Sequence, residues 1–249
     1  MITLPEKRKV CVSIPIRNRE NDLRTDLENI LANIQTALTK GADMIECRFD
    51  YMTEFEEFDA FLEVIAKYKA SCVYTLRPVS QGGNFVDDND DVDHTQRLKL
   101  LKKLIDQEPQ FVDIEYDTIS KNDDLADYAE SSKTKILVSW HDFERTPHHT
   151  ELINLVNQMR IYSPYLKVIT MAHSFDDALE IFELYQNLDT NTNLVSFAMG
   201  ESGTITRVLG SIIGDTPFTY ASLDAPIAPG QLSISQMQRF YAVLRKKLV

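Results

Sequence analysis

The chain has 249 residues, 43% of them apolar, with only 8 glycines and no low-complexity stretch, which predicts one sizeable core and excludes a disordered chain. Its net charge of −12 argues against nucleic acid or an anionic membrane surface as a partner. Cys11, Cys47 and Cys72 all lie in apolar runs without metal-ligand spacing, so reduced thiols in a cytoplasmic protein are expected and zinc is not. No signal-like or membrane-spanning apolar run is apparent.

In chain order, short β-branched or apolar runs recur at 9–16, 43–49, 71–77, 110–116, 135–141, 165–172, 193–199 and 217–222. Helical periodicity fills the gaps. After the first run, Leu23, Leu27, Ile30, Leu31, Ile34 and Leu38 share a face, and Gly41 reads as the C-cap. Phe55, Phe58, Phe61, Leu62 and Ile65 repeat the pattern, as do Leu98, Leu101, Leu104 and Ile105. A short helix is expected around 125–129, then one through Leu152, Leu155, Val156 and Met159. Ile234, Met237, Phe240, Tyr241 and Leu244 mark the last. Eight alternating units of this size predict a single-domain α/β chain, a (β/α)8 TIM barrel over residues 1–249. A doubly wound open sheet is the alternative, although no Gly-rich nucleotide-binding loop follows any strand.

Residues on a strand alternate between faces. In "MIECRF", Ile45, Cys47 and Phe49 are expected to face the helices and Glu46 and Arg48 the barrel interior. The same rule groups Thr75 with Arg77, Asp113 with Glu115 and Asp117, Ser139 with His141, and Lys167 with Ile169 and Met171, leaving Trp140 outside. Charge is thereby concentrated inside the barrel near the C-terminal strand ends, where barrel enzymes react. Singly, each residue has a structural reading. Glu46 and Arg48 could be an ion pair, Lys167 a partner of Glu46 or Glu115, and His141 a hydrogen-bonded core histidine. Burying a charge costs several kcal/mol per ion, so the set as a whole argues for chemistry. His148, His149 and the acidic run 87–93 read as solvated.

A buried lysine beside other cations becomes a nucleophilic amine able to form an imine with a ketone, and a nearby histidine can remove the acidified α-proton. Arg48, Arg77 and Arg207 suit an anionic, oxygen-rich substrate. The residues therefore predict an imine-forming lyase or aldolase acting on an anionic carbonyl compound, without deciding which.

Several segments carry a more specific signal. "IECRFD" resembles the E-x-R-x-D signature of type I 3-dehydroquinate dehydratases, and "YTLRPVSQGG" resembles their T-x-R-x-x-x-E-G-G. "VSWHDFERTP", "LKVITMAHSFDDAL", "MGESGTITRVLGSIIGD" and "APGQLS" are similar to that family's histidine, lysine and closing substrate blocks, in the same order. The resemblance implies a (β/α)8 hydro-lyase of the shikimate pathway that converts 3-dehydroquinate to 3-dehydroshikimate with no metal or organic cofactor. It also implies a small anionic substrate and a possible homodimer. By the same match Lys167 forms the imine and His141 moves the proton. Glu46, Arg48 and Arg77 bind hydroxyls and order the site, Arg207 and Gln231 hold the carboxylate, and Ser13 lines the pocket. Two positions depart from the pattern: Gln81 stands where the family has Glu, and Ile227 where it has Ser. The first removes a negative charge expected to tune His141. A sugar-phosphate aldolase and a non-catalytic ligand sensor are the competing readings.

Overall fold

A computed structural model describes residues 9–18, 22–87, 91–189, 191–214, 216–223 and 230–248. Ile227 and part of the acidic run lie outside them. The strands are β1 (Val10–Pro15), β2 (Met44–Arg48), β3 (Cys72–Thr75), β4 (Phe111–Glu115), β5 (Ile136–His141), β6 (Tyr165–Met171), β7 (Asn193–Met199) and β8 (Thr219–Ala221). The α-helices are α1 (Leu23–Thr39), α2 (Phe58–Ile65), α3 (Asp91–Asp106), α4 (Tyr116–Ile119), α5 (Asp123–Ser131), α6 (His149–Met159), α7 (Phe175–Gln186), α8 (Thr204–Ile213) and α9 (Ile234–Leu248).

All strand neighbours are parallel, in the order β7-β6-β5-β4-β3-β2-β1-β8. Pairing of the last strand with the first removes the order reversal that defines a doubly wound sheet, so the open-sheet alternative falls. The result is a nearly closed (β/α)8 barrel. At the seam, Phe197 of β7 and Tyr220 of β8 meet edge to face with centroids 6.2 Å apart.

Strand alternation sorts side chains into two apolar clusters. Ile45, Cys47 and Phe49 pack outward with helical residues such as Phe58, Phe61 and Leu62. Cys11, Met44, Val73, Phe111, Leu137 and Phe218 fill the barrel floor. Fully burying each larger apolar side chain contributes about 1.5–3 kcal/mol, so the floor makes a rigid base for charge above it. One layer toward the C-terminal ends, the register aligns Ser13 with Glu46, Thr75 with Asp113, and Ser139 with Lys167.

Some boundaries differ from expectation. Strand β4 ends at Glu115, because the chain turns at once into α4, and Asp117 is therefore exposed on a helix rather than inside the barrel. Asp91 to Asp93 open α3 instead of extending a loop. Phe55 precedes α2 and packs on Phe58 from outside the helix. Gly41 sits one residue beyond the cap Lys40, with φ +95°. There Ala42 N–H donates to Ala37 O at 2.9 Å, closing α1 in a conformation glycine adopts without a Cβ penalty. All three cysteines are buried and unbridged. No described helix is long and apolar enough to cross a membrane.

Candidate active site

A cavity of ≈ 230 Å³ opens at the C-terminal ends of the strands. Ser13, Glu46, Arg48, Arg77, His141, Lys167, Arg207 and Gln231 all line it, so the barrel brings together every predicted site residue. Tyr51, Gln81, Gly82, Phe143 and Tyr220 complete much of the wall.

Lys167, on β6, lies at the base. Its Nζ is 3.1 Å from Asp113 Oδ2 and 3.5 Å from Glu46 Oε1, and 4.6 Å from the Tyr220 ring centroid. Of the partners considered from sequence, Glu46 is one and Glu115 is not. Nor are the arginines its closest charges, because Arg48 and Arg77 are drawn to carboxylates, Arg77 sharing Asp113 with the lysine. Arg77 donates from Nη2 to Asp113 at 2.7 Å and from Nη1 to Glu115 at 2.8 Å and Ser139 Oγ at 2.6 Å. Arg48 forks onto Asp50 at 2.7 and 2.8 Å, rather than pairing with Glu46 two residues earlier. The guanidinium plane fits two carboxylate oxygens at once, which a strand neighbour on the same face cannot offer as well.

Glu46 is held by three hydroxyls besides the lysine's charge. Ser13 Oγ donates to it at 2.5 Å, Thr75 Oγ1 at 3.1 Å and Tyr220 OH at 3.3 Å. Burial pushes the Glu46 and Asp113 carboxyls up, but the surrounding cations, Lys167 for both and chiefly Arg77 for Asp113, bring them below the usual carboxylate range. Both are therefore anions at neutral pH.

The second arm of Glu115 is taken by Arg97 of α3, which also donates to Leu76 O at 3.2 Å and Thr118 Oγ1 at 3.0 Å. Arg97 was not among the residues expected at the site from sequence. A signal was present: it lies four and seven residues before Leu101 and Leu104, on the buried face. Four carboxylates (Glu46, Asp50, Asp113, Glu115) thus neutralise Arg48, Arg77, Arg97 and Lys167. Tyr220 and Ser139 were also missed as contacts, since a strand Tyr or Ser carries no mark of what lies opposite.

His141 ends β5, one side chain above Ser139, the register partner of Lys167. Burial, then the charges of Arg77, Lys167 and Arg48, hold its pKa well below the ordinary value, so the imidazole is neutral at pH 7. Its ring stacks on Phe143 at 5.8 Å and 8°. Its Nδ1 is buried with no hydrogen-bond partner among the described residues, and the same holds for Gln81 Oε1. Gln81 instead directs Nε2 to Asp117 at 3.5 Å.

The loop 78–85 folds over this side. Gly83 N–H donates to Pro78 O at 2.9 Å, and any Cβ at Gly83 would fall 2.0 Å from Arg77 O, so only glycine permits the turn. Asn84 anchors the loop to Asp50 Oδ2, from N–H at 3.1 Å and Nδ2 at 3.2 Å. The residue that holds Arg48 therefore also holds the loop.

Opposite, Arg207 lies in the first turns of α8 with its guanidinium 4.0 Å over the Phe197 ring centroid. It is 2% exposed, and burial lowers its pKa to about 10, which leaves it charged at neutral pH. Gln231, on the approach to α9, is 8% exposed and faces the same cavity.

The chain matches the family model described as Type I 3-dehydroquinase over residues 11–247. Among curated relatives, the 3-dehydroquinate dehydratase of Methanocaldococcus jannaschii is 35% identical over 209 residues, 83% of this chain and 89% of the relative. That of Thermococcus onnurineus is 32% identical over 221 residues, 85% and 94% of the two chains. Among solved structures, the type I 3-dehydroquinate dehydratase of Clostridium difficile superposes with a TM-score of 0.79 at 22% identity, covering 98% of this chain and 95% of the other. The Aquifex aeolicus 3-dehydroquinate dehydratase gives 0.75 at 24% identity, covering 96% and 98%. At these identities the two structures speak for the fold.

Proposed function

We propose that this chain, which belongs to the type I 3-dehydroquinase family, dehydrates 3-dehydroquinate to 3-dehydroshikimate through an imine on Lys167, as a step of the shikimate pathway. The observation that carries the mechanism is the placement of the Lys167 amine at the base of a cavity, between two buried carboxylates and below a neutral histidine.

The reaction follows from these groups. Substrate binding moves the amine off Asp113 and Glu46, and His141, neutral and in the same cavity, accepts the proton released as nitrogen attacks the ketone carbon. The ketone oxygen takes a second amine proton to become a carbinolamine hydroxyl, His141 returns its own proton to that hydroxyl, and water departs to leave a protonated imine with His141 neutral again. That cation acidifies the adjacent C–H, and His141 takes the proton to give an enamine. The enamine electrons expel the β-hydroxyl, to which His141 returns the proton, so a second water leaves. Hydrolysis consumes one water and frees the unsaturated ketone and Lys167. The net loss is one water per turnover. The imine serves as the electron sink, so the scheme needs no cofactor or metal.

Asp113 and Glu46 are placed to stabilise the iminium charge, which takes the position of the free lysine's own. Arg48 keeps its Nη1 donors uncommitted among the described residues, and Ser13 and Arg77 share the same wall, which suits the ring hydroxyls. Arg207 and Gln231 face them across the cavity and suit the carboxylate.

Reduction tests this directly. Borohydride added with 3-dehydroquinate should convert the imine to a stable secondary amine, giving one mass adduct per chain that maps to Lys167. Turnover without any adduct would remove the imine from the mechanism. Turnover of a sugar phosphate instead would point to an aldolase, and tight binding without turnover to a sensor.

A further inference from the structure

His148 and His149 lie where the loop leaving β5 opens α6, and α7 presents Glu180 and Glu183 to them. His149 Nδ1 is 2.9 Å from Glu180 Oε2 and 2.8 Å from Glu183 Oε2, and His148 Nε2 is 4.0 Å from Glu180 Oε1. One donor atom each from His148, His149 and Glu180 lies within 4.8 Å of the others. None of these residues touches the barrel cavity. We propose that His148, His149 and Glu180 form a binding site for a divalent transition metal of the zinc class, with Glu183 as a further carboxylate donor beside it.

The spacing suits such an ion. Zinc bonds of about 2.0–2.2 Å in tetrahedral array put neighbouring donor atoms about 3.4 Å apart. The two histidine–Glu180 separations, 2.9 and 4.0 Å, bracket that value, and all three donor atoms lie within 4.8 Å of one another, so side-chain rotations complete the polyhedron. Two imidazoles with carboxylate favour zinc, nickel or copper over magnesium or calcium, which take oxygen donors. The His148 ring is already held in place, since its Nδ1 contacts Thr150 Oγ1 at 2.9 Å and leaves Nε2 toward Glu180, while the backbone N–H of His149 donates to Glu180 Oε2 at 2.6 Å and holds that carboxylate at the site. Such outer contacts are what fix the ring orientation of metal-bound histidines. The site is open to an incoming ion, with the His148 side chain 55% exposed and that of His149 21%. The positive end of α6 opposes a cation here, and the two carboxylates from α7 offset it. The competing arrangement is a salt bridge alone, with protonated His149 clasped by the two carboxylates and no metal bound.

The site ties α6 to α7 behind the loop that leaves His141, so occupancy would brace that loop and raise stability by mass action. The experiment uses tag-free, chelator-treated full-length protein titrated with zinc chloride by calorimetry, and with cobalt(II) followed by its visible absorption. The buried cysteines offer no competing exposed thiol. One equivalent per chain should bind, with a rise in melting temperature and cobalt bands of nitrogen-bound metal. His149→Ala and Glu180→Gln should each weaken binding at least about tenfold. His148→Ala, at the exposed edge, should do the same and guards against a misfolded His149 variant. No saturable uptake, or uptake unchanged in all three variants, would overturn the site. Borohydride labelling of Lys167 should be unaffected by the substitutions, so this test and that of the proposed reaction succeed or fail separately.

Discussion

Lys167 Nζ and Asp113 Oδ2 lie 3.1 Å apart although their strands, β6 and β4, are not neighbours. Between them stands Ser139 of β5, whose Oγ donates to Asp113 Oδ1 at 2.6 Å while accepting from Arg77 Nη1. Asp113 thus holds a lysine, an arginine and a serine at the centre of the barrel.

Removing Lys167 should cost both chemistry and stability. In Lys167→Met, Asp113 keeps Arg77 but Glu46 loses its nearest cation. Breaking a buried pair costs about 3–5 kcal/mol, and the remaining hydrogen bonds to Glu46 place the expected loss at the lower end, about 3 kcal/mol. Urea unfolding measures it. Turnover should fall by at least about 10³-fold, since the covalent route is closed, with no borohydride adduct.

The pH profile should reveal His141. Its depressed pKa keeps the base form available below pH 6.5, so the acid limb of kcat/KM should lie under that value. Gln81→Glu would put an anion on the same wall, favour the imidazolium, and move the acid limb to higher pH. Stopped assays at constant ionic strength would follow it. An unmoved limb would dismiss a tuning role for position 81.

Stability should fall with acid in two windows. The folded His141 resists protonation that the unfolded chain accepts, so stability is present above about pH 6.5 and declines as pH drops from there toward the folded pKa. Asp113 and Glu46 have depressed folded pKa values, so their contribution holds above the unfolded carboxylate range and declines below about pH 4. Urea midpoints between pH 3 and 8 test both. In His141→Gln the upper decline should flatten and the lower one remain.

Arg207 should act through binding. Arg207→Met removes a charged donor from the wall opposite Lys167, and charge-assisted hydrogen bonds contribute about 1.5–3 kcal/mol. A roughly 10- to 150-fold rise in KM is expected, with a smaller change in kcat. Initial rates over a substrate series would separate the two. A fall confined to kcat would place Arg207 in the chemistry instead.

Much of this was decided by the local pattern of the chain. Alternation in "MIECRF" and "LKVITM" sends Glu46, Arg48 and Lys167 inward because a strand has a period of two, whatever it pairs with. The apolar spacing of α1, α2 and α6 likewise reflects helical geometry alone. What the local pattern left open is who meets whom. Asp50 rather than Glu46 takes Arg48, Asp113 rather than Glu115 takes Lys167, and Arg97 reaches in from α3. The Arg48–Asp50 pair is local, two positions apart, but the others join residues up to 54 positions apart, as for Asp113 and Lys167, and exist only once strand stagger and barrel closure set which side chains share a layer. The same holds for His149 and Glu180, 31 positions apart on α6 and α7. Strand and helix periods act within a few residues, whereas the partner of a buried charge is chosen by the closed barrel, since only there is water gone and the nearest opposite charge decisive.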